Sequence, residues 1–458
     1  MKTPEELRAE RDKLFSDYFH NVTPERMPVM MTIPVMLLAQ RNNVSPLDFQ
    51  FDYGLLGPYM DELADLIYSD SCPINPIGQT ARPPLYYALL GSQSFQMSDA
   101  GFVQHPEVVG MLDTEYDELI ADPLKCVMDH ILPRQYANLN FREDPYRALF
   151  AFQMGDMSNA TDGGALMPFL GKLKARKGYF GGAPMGSGGF TAAPFDFLAD
   201  QLRSFSGISA DVRRKKTQIK EACEALLPYM FNVGLPKKPH PVGAVGMPLH
   251  MPPFMRTKDV EELWFPTYKK LLEQYAARGV RTSPFVESDW TRFLDMLYDL
   301  PAGTNMKFEG GDPKQIKEKL GDKMLLGGFY PLMLIRSGTP EQCVDKAKEL
   351  LDIMLPGCGY ILNTDKVPMN MGDVNLENYR AVSEYLRDNA RFEHPGESFG
   401  TPLNSENYEI DEHIGDIHSE VLDDLFGHVT VKSSNPNVAR REETYAKDFT
   451  SKIMKMFL

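Results

Sequence analysis

Acidic side chains directly follow several stretches of the chain that have the apolar character of buried β-strands. Asp70 ends the stretch LIYSD, and Glu287 and Asp289 come just after the stretch TSPFV. In α/β barrels the groups that do chemistry lie at the carboxyl ends of the strands, where carboxylates serve as general acids or bases. We therefore predict Asp70, Glu287 and Asp289 as catalytic residues. For Asp70, capping of the following turn is the alternative.

A histidine and a further aspartate extend this acidic set toward metal binding. His250 ends the apolar stretch GMPLH, and Asp365 follows the stretch YILNT. Imidazole nitrogen and carboxylate oxygen both bind zinc, and a cation would explain how several acids share one cavity. The pattern predicts a zinc site formed by His250, Glu287, Asp289 and Asp365. The alternatives are a histidine hydrogen-bonded within a proline-rich loop and an aspartate in a surface ion pair.

Aromatic and methionine side chains close to these acids in the sequence predict a pocket wall for a small apolar or aromatic molecule. Such side chains line most ligand pockets, and methionine adapts to irregular shapes. Ordinary core packing is the alternative for the whole group. The candidate substrate-binding residues are Tyr68, Met251, Phe254, Trp290, Phe329, Tyr330 and Asn363.

Stretches of strand length alternate with amphipathic stretches of helix length through the second half of the chain. This order predicts parallel strands joined by crossover helices, and the number of units favours a closed (β/α)8 TIM barrel over an open doubly wound sheet. The predicted strands cover residues 242–249, 282–286, 305–308, 324–326 and 360–362. The predicted helices cover residues 258–278, 291–298, 314–320 and 339–354, the last opened by a capping box of Thr339 and Gln342.

Extensions flank the predicted barrel on both sides. Apolar side chains at near-helical spacing predict a helix over residues 4–19, with Thr3 as its N-cap and Glu6 completing a capping box. The acidic C-terminal extension is expected to wrap the barrel or to contribute to a homodimer contact. The predicted divisions are an N-terminal helical extension at 1–24, the TIM barrel at 25–398 and the C-terminal extension at 399–458.

Two further segments within the barrel region receive specific predictions. Residues 27–32 form a short apolar stretch and are expected to be the buried first strand. Residues 163–189 are rich in glycine, but their spacing follows neither a P-loop nor a dinucleotide-binding pattern. We interpret this glycine-rich segment as a loop or lid over the barrel mouth.

The chain is acidic, with 48 Lys and Arg against 63 Asp and Glu and a formal net charge of −15. This excess opposes binding to nucleic acid or to anionic membrane surfaces, so a small molecule is the expected ligand. The apolar stretch 27–39 is broken by prolines and too short to span a bilayer, and the acidic N-terminus is unlike a targeting peptide. Five cysteines without a CxxC pair suit a reducing compartment, so we expect a cytoplasmic protein.

Four segments of the chain resemble segments of the uroporphyrinogen decarboxylase superfamily and occur in the same order as in that superfamily. LIYSD at 66–70 is similar to its second-strand segment, and AAPFDFLADQLRSFSG at 192–207 to its Gly-Ala-Pro-aromatic helix start. MLLGGFYPLMLIRSGTPEQ at 324–342 is similar to the segment that leads into its Gly-Thr-Pro-Glu helix, and GYILNTDKVP at 359–368 to the strand that closes its barrel. The resemblance covers roughly residues 25–395 and implies a TIM barrel.

The resemblance implies one of two activities. The superfamily includes decarboxylases that use no cofactor and corrinoid-linked methyltransferases that bind zinc through a His-x-Cys pair and a later Cys. Only Arg41 lies near the position of the decarboxylases' N-terminal arginines. Where the methyltransferases have His-x-Cys this chain has Glu287-Ser288-Asp289, and near their later Cys it has 363–365, Asn-Thr-Asp.

The favoured expectation is a methyltransferase of the O-demethylase type. It would move a methyl group from a small methylated substrate, such as a methoxylated aromatic, to a cobalamin carried by a partner corrinoid protein. A metal ion or a proton donor at the barrel mouth would stabilise the leaving atom of the substrate and so lower the reaction barrier. The alternatives are a decarboxylase of a porphyrinogen or another carboxylated substrate, and a barrel that binds a ligand without catalysis.

Overall fold

Six parallel strands form the main sheet of the molecule. The structure is a computed structural model that describes residues 2–75, 82–427 and 435–458. The strands are β1 (Ile33–Pro34), β2 (Ile74–Asn75), β3 (Gln96–Met97), β4 (Val103–Gln104), β5 (Gly189–Phe190), β6 (Ala244–Leu249), β7 (Arg281–Val286), β8 (Asn305–Phe308), β9 (Leu325–Tyr330) and β10 (Tyr360–Thr364). Strands β5 to β10 pair in chain order and all in parallel, while β1 pairs with β2 in parallel and β3 with β4 in antiparallel.

Helices connect and cover these strands. The α-helices are α1 (Pro4–Phe19), α2 (Val35–Arg41), α3 (Pro46–Phe51), α4 (Met60–Ala64), α5 (Pro84–Leu90), α6 (Tyr116–Ala121), α7 (Pro123–Cys126), α8 (Leu132–Gln135), α9 (Pro145–Asp162), α10 (Met167–Lys177), α11 (Pro194–Asp196), α12 (Phe205–Arg214), α13 (Lys216–Gly234), α14 (Thr257–Asp259), α15 (Phe265–Ala277), α16 (Leu294–Tyr298), α17 (Pro313–Leu320), α18 (Leu332–Ser337), α19 (Pro340–Met354), α20 (Leu376–Asn389), α21 (Glu420–Gly427) and α22 (Pro436–Met454). Single 3₁₀ segments cover Tyr53–Tyr59, Pro252–Phe254, Thr291–Phe293, Met371–Asp373 and Ser405–Asn407, and π-helical segments cover Val127–Ile131, Phe197–Arg203 and Val260–Trp264.

The strand and helix predictions for the second half of the chain match the structure closely. The predicted strand at 305–308 coincides with β8, and the strand predicted at 324–326 continues to Tyr330 as β9. Every residue of β9 is buried, as expected for a strand covered on both faces. The structure thus confirms a mixed α/β fold built on a parallel sheet.

Two predicted capping boxes are present and fix where their helices begin. The Thr3 side chain accepts from the backbone of Glu6, whose carboxylate accepts from the backbone of Thr3, and α1 runs over the predicted residues. Thr339 and Gln342 make the same reciprocal pair at the start of α19. Each box satisfies two backbone N–H groups that a helix start leaves without a partner.

Residues 27–32, predicted as the first strand, form no strand ladder. The N–H of Val29 donates to the carboxylate of Asp70 at 2.8 Å, while its carbonyl accepts from the backbone N–H of Asp70, also at 2.8 Å. The side chain of Asp70 therefore accepts the Val29 N–H in place of a backbone carbonyl of a neighbouring strand. Parallel pairing begins only at β1, where Ile33 lies opposite Ile74 of β2.

The glycine-rich segment 163–189 is not a continuous loop, which corrects that part of the prediction. Its residues 167–177 form α10, which ends at Gly178 with a left-handed backbone (φ 60°). The segment's last residue, Gly189, opens β5. Five straight-chain basic or apolar residues of α10 are good helix formers, so local propensity outweighs the flanking glycines here.

The C-terminal extension packs against the rest of the chain. The hydroxyl of Tyr136, on the loop after α8, donates to the carbonyl of Met456 at 2.5 Å. Phe457 is buried and lies edge-on to Phe197, with the ring centres 5.9 Å apart. Among the described residues, no helix has both the length and the apolar character needed to cross a membrane.

Asp70 is the centre of a buried charge cluster just before β2. It lies four residues before β2, and Arg26 holds its carboxylate with two hydrogen bonds of 2.6 and 2.8 Å. The hydroxyl of Tyr68 donates to the same carboxylate at 2.7 Å, and Arg11 of α1 lies 3.4 Å away. Burial opposes ionisation, but the hydrogen bond and charge of Arg26, together with the hydrogen bonds from Val29 and Tyr68, outweigh it and lower the pKa of Asp70.

We expect Arg26→Met to lower the free energy of unfolding by about 3–5 kcal/mol, because it leaves the buried carboxylate of Asp70 without its bidentate partner. Urea denaturation followed by circular dichroism measures the change. Arg176→Met is the control, because Arg176 and Asp61 form an exposed pair whose loss costs about 0–1 kcal/mol. Similar costs for both variants would contradict the assignment of Asp70 to a structural cluster.

The pH dependence of stability should carry the same signature. The pKa of Asp70 is lowered in the folded chain, so its contribution is present above the ordinary aspartate pKa. That contribution is lost as the pH falls through the lowered value.

Candidate functional site

A cavity of about 520 Å³ opens at the carboxyl ends of β6 and β7. Pro248, His250 and Glu287 lie at strand ends, and the other lining residues come from segments that precede β6 in the chain. Segments far apart in sequence therefore line the same cavity. Both histidine and carboxylate side chains face this cavity. Its lining residues are Ser94, His105, Pro106, Glu107, Val108, Gln135, Asp200, Gln201, Ser204, Phe205, Pro248, His250 and Glu287.

His250 and Asp200 form an ion pair in the wall of the cavity. His250 immediately follows β6, and Asp200 lies on the π-helical segment after α11. Their Nδ1 and Oδ1 atoms are 3.1 Å apart. This hydrogen bond, more than the opposing effect of burial, raises the pKa of His250 to about 9. At neutral pH the imidazole is therefore protonated and is a proton donor.

Asp196 anchors the backbone on which His250 stands. This buried carboxylate accepts from the backbone N–H groups of His250 and Met251, each at 3.3 Å, and from the indole of Trp264 at 3.0 Å. Burial, and then the charge of Asp200, raise the pKa of Asp196. Asp196 of α11 thus fixes the backbone that follows β6, and this orients the imidazole of His250 toward the cavity.

Glu287 is the second titratable group at this edge. It follows β7 and lines the cavity beside His250. Burial raises the pKa of Glu287, the charge of His250 lowers it, and the charge of Glu309 raises it again. Glu309 itself is held by Lys366 at 3.1 Å and by the N–H of Ser288 at 2.6 Å. Glu287 thus lies among charges and is poised to accept or give a proton.

The other two predicted zinc ligands accept hydrogen bonds from nearby residues. Asp289 accepts from the backbone N–H and the hydroxyl of Thr291 at 2.8 and 2.6 Å. Asp365 accepts from the N–H of Leu332 at 2.9 Å and from that of Lys366 at 2.7 Å.

Within residues 2–75, 82–427 and 435–458, no three His, Cys, Asp or Glu side chains are arranged to hold a metal ion. Of the four predicted ligands, the structure brings together only His250 and Glu287. The Nδ1 atom of this histidine already faces Asp200. These residues as they stand do not fit the zinc ligand set that was predicted.

The predicted substrate-binding residues divide into wall and core. Phe254 is 57% exposed and packs edge-on to His250 and to Phe205, with centre distances of 5.7 and 5.2 Å. Met251 is buried one residue after His250. Trp290 is buried and donates to the carbonyl of Glu287 at 2.7 Å, so it supports the site from behind.

The remaining four candidates lie on other elements. Phe329 is stacked on Phe308 with the ring centres 5.4 Å apart. The hydroxyl of Tyr330 donates a hydrogen bond to the carbonyl of Cys343 at 2.8 Å. Asn363 of β10 is partly accessible and donates weakly to the carbonyl of Met30. Tyr68 belongs to the Asp70 cluster and, like Asp70, does not line the cavity.

Four residues of the site were not singled out by the sequence patterns. They are Asp200, Asp196, His105 and Glu309. Both aspartates lie in the segment 192–207, four residues apart, a spacing that places side chains on neighbouring turns of one helix face. That spacing was a usable signal, whereas nothing in the local sequence links Glu309 to Ser288. His105 stacks on Phe95 at 4.3 Å, and burial lowers its pKa.

No protein-family model matches this chain, and no curated protein matches it either.

We expect Asp200→Asn to lower the pKa of His250 from about 9 toward the ordinary histidine value, because it removes the carboxylate that stabilises the imidazolium. Titration of the histidine Cε1–H signals by NMR measures the shift. Asp416→Asn is the matched control, because Asp416 pairs with the exposed His413 at 2.7 Å and should move that histidine alone. A His250 signal that titrates near the ordinary value in the parent protein would refute the pairing.

The stability linked to this pair has a defined sign. Because the pKa of His250 is raised on folding, the pair stabilises the fold fully below the ordinary histidine pKa of about 6.5. That contribution is lost as the pH rises through about 9.

Proposed function

We propose that this chain is a closed (β/α)8-barrel enzyme of the uroporphyrinogen decarboxylase type that transfers a methyl group from a small methylated donor to a corrinoid protein. The observation that carries the proposal is the ion pair of His250 and Asp200 beside Glu287, in a cavity at the carboxyl ends of parallel strands. That edge is where enzymes of this fold do their chemistry. The four sequence segments that resemble the superfamily support the same assignment.

Contacts that begin at the edge of β10 support closure of the barrel. On one side, the N–H of Leu362 in β10 faces the sulfur of Met27 at 3.4 Å. The backbone N–H of Asp70 then donates to Val29, and that of Phe180 donates to Asp70, both at 2.8 Å. The segments at Met27 and Asp70 supply the two further strand positions that an eight-stranded barrel needs beside β10, and Phe180 precedes β5 by nine residues.

The chemistry that the site suits is proton donation to a poor leaving group. A corrinoid on the partner protein would supply the nucleophile for the methyl group. As the bond from the methyl carbon to oxygen or nitrogen breaks, that atom keeps the electron pair and takes a proton from His250. Asp200 stabilises the imidazolium before transfer, and Glu287 is placed to return a proton afterwards. No step is assigned to zinc.

The shape and lining of the cavity suit a small aromatic or apolar donor. Its volume lies within the range of pockets for small molecules. Phe205, Val108 and Pro106 offer apolar surface next to the charged pair. The donor's reacting atom would lie against His250, with its apolar part against these residues.

We expect His250→Gln to lower the rate of methyl transfer by about 10²–10⁴-fold, the usual worth of a positioned acid. The assay uses free cob(I)alamin as acceptor, screens methoxylated aromatics and methylamines as donors, and follows methylcobalamin by absorbance. His413→Gln is the control, because that histidine also pairs with an aspartate but lies on the exposed surface. Activity of the parent should fall as the pH rises through about 9, where His250 loses its proton.

Other outcomes separate the alternative functions. Release of CO₂ from a carboxylated substrate, without methylcobalamin, would replace methyl transfer by decarboxylation. Ligand binding that survives His250→Gln, with no turnover of any kind, would indicate a binding barrel.

A further inference from the structure

Helix α9 carries large apolar side chains on a face that no other element of the described chain covers. Their spacing of three, four, eight and eleven residues from the first of them places them along one side of the helix. Each exposes between 47% and 79% of its surface, and a glutamine between them is exposed as well. This outer face consists of Tyr146, Leu149, Phe150, Gln153, Met154 and Met157.

The other sides of α9 are already in contact with the protein. Gly155 lies against α5, since a Cβ atom added there would lie 3.0 Å from Cδ2 of Leu90. Phe152 lies edge-on to Phe449 of α22, with the ring centres 6.0 Å apart. A helix that is apolar all round is normally buried all round. The outer face of α9 therefore has the character of a surface that another molecule covers.

The area of the outer face matches what a stable protein–protein contact needs. At roughly 200 Å² for a fully exposed large side chain, its five apolar residues present on the order of 600 Å². Patches of this size are the largest that soluble monomers usually expose, and they often mark interaction sites. A standard interface buries about 800 Å² on each partner, of which a little over half is apolar. The outer face can thus supply the apolar part of such an interface by itself.

The distribution of charge on α9 favours a second copy of this chain as the partner. In a two-fold contact a residue near the axis meets its own copy, so a charged residue there would face a like charge. The three charged residues of α9 lie outside the outer face. Asp156 is held by Lys452 at 3.0 Å, Asp162 accepts from Ser158 at 2.6 Å, and Arg147 lies at the edge. Homodimer interfaces are also more apolar than contacts between proteins that meet transiently.

Gln153 has the chemistry that a position on a two-fold axis requires. It lies near the middle of the outer face, is exposed, and its side chain makes no hydrogen bond within the described part of the chain. An amide carries both a donor and an acceptor, so two copies of Gln153 that face each other can satisfy one another. The polar residue at the centre of the face is therefore complementary to itself.

We propose that the outer face of α9 is a homodimer contact, in which α9 of one copy packs antiparallel on α9 of the other around a two-fold axis at Gln153. Antiparallel packing sets the N-terminal end of each helix beside the C-terminal end of the other, where opposite partial charges attract. Helix α22 of the C-terminal extension lies behind α9 and supports the contact from within each copy. The contact uses no residue of the cavity, so it is independent of methyl transfer.

Sedimentation velocity of the full-length chain tests the proposal with a matched pair of variants. The parent should sediment with twice the mass of one chain. Met157→Glu should raise the dissociation constant of the dimer at least about 100-fold, because each copy then buries a carboxylate near its like-charged counterpart. Met333→Glu is the control, because Met333 on α18 is 62% exposed and Met157 is 53% exposed. The same change at Met333 should leave the dimer intact.

Three results of this experiment would overturn the proposal. The first is a parent that stays monomeric at its highest soluble concentration, and the second is a dimer that Met157→Glu weakens no more than Met333→Glu does. The third is a monomer that binds vesicles of zwitterionic lipid and loses this binding in Met157→Glu, which would assign the outer face to a membrane surface.

Cysteine cross-linking tests the position of the two-fold axis without weakening the dimer. Gln153→Cys should form a disulfide between two copies under mild oxidation, because a residue on the axis meets its own copy within the reach of that bond. Met333→Cys should give no cross-linked dimer. Four of the five native cysteines are buried, which keeps the background low. Equal cross-linking in both variants, or none at position 153, would refute the proposed packing of α9.

Discussion

The parallel register of β5 to β10 is the constraint on which the rest of the molecule depends. Because every strand of this sheet runs the same way, the residues that follow each strand emerge at one edge. His250, Glu287 and Glu309 come from three successive strands, yet the register sets them in adjacent positions. The crossover helices then supply Asp200 from the same side. Sequence distance is thus converted into a shared cavity.

Strained backbone next to the site refines where these side chains point. Ser288, directly after Glu287, has a left-handed φ of 64°, and its N–H is held by Glu309. Phe329 has a φ of 69° after Gly328, where an added Cβ would lie 2.0 Å from the carbonyl of Phe308. Such conformations cost energy and persist where the surroundings fix them. Here they lie just after β7 and near the end of β9.

The sequence was sufficient for the elements of the second half of the chain but only partly for the site. Strand β8 and helix α19 were predicted to within a residue, because apolar periodicity and a capping box are local signals. No local sequence signal of this kind indicates the roles of Asp289 and Asp365. Both look like ligands in the sequence, and only the folded loops show that the Oδ1 atom of each accepts from backbone N–H groups. The pairing of Asp70 was hidden for a related reason, since its partner Arg26 lies 44 residues earlier.

The balance of charge at the strand ends explains why this site can hold protons. Four carboxyl groups, those of Asp196, Asp200, Glu287 and Glu309, are gathered near two cations, His250 and Lys366. Like charges in a partly buried space cannot all ionise at little cost, so protons are retained. Burial first, and the charge of neighbouring carboxylates second, raise the pKa of Glu287 and that of Asp196, and His250 stays protonated. A site with more acids than cations therefore becomes a local store of protons, which is what acid-assisted chemistry requires.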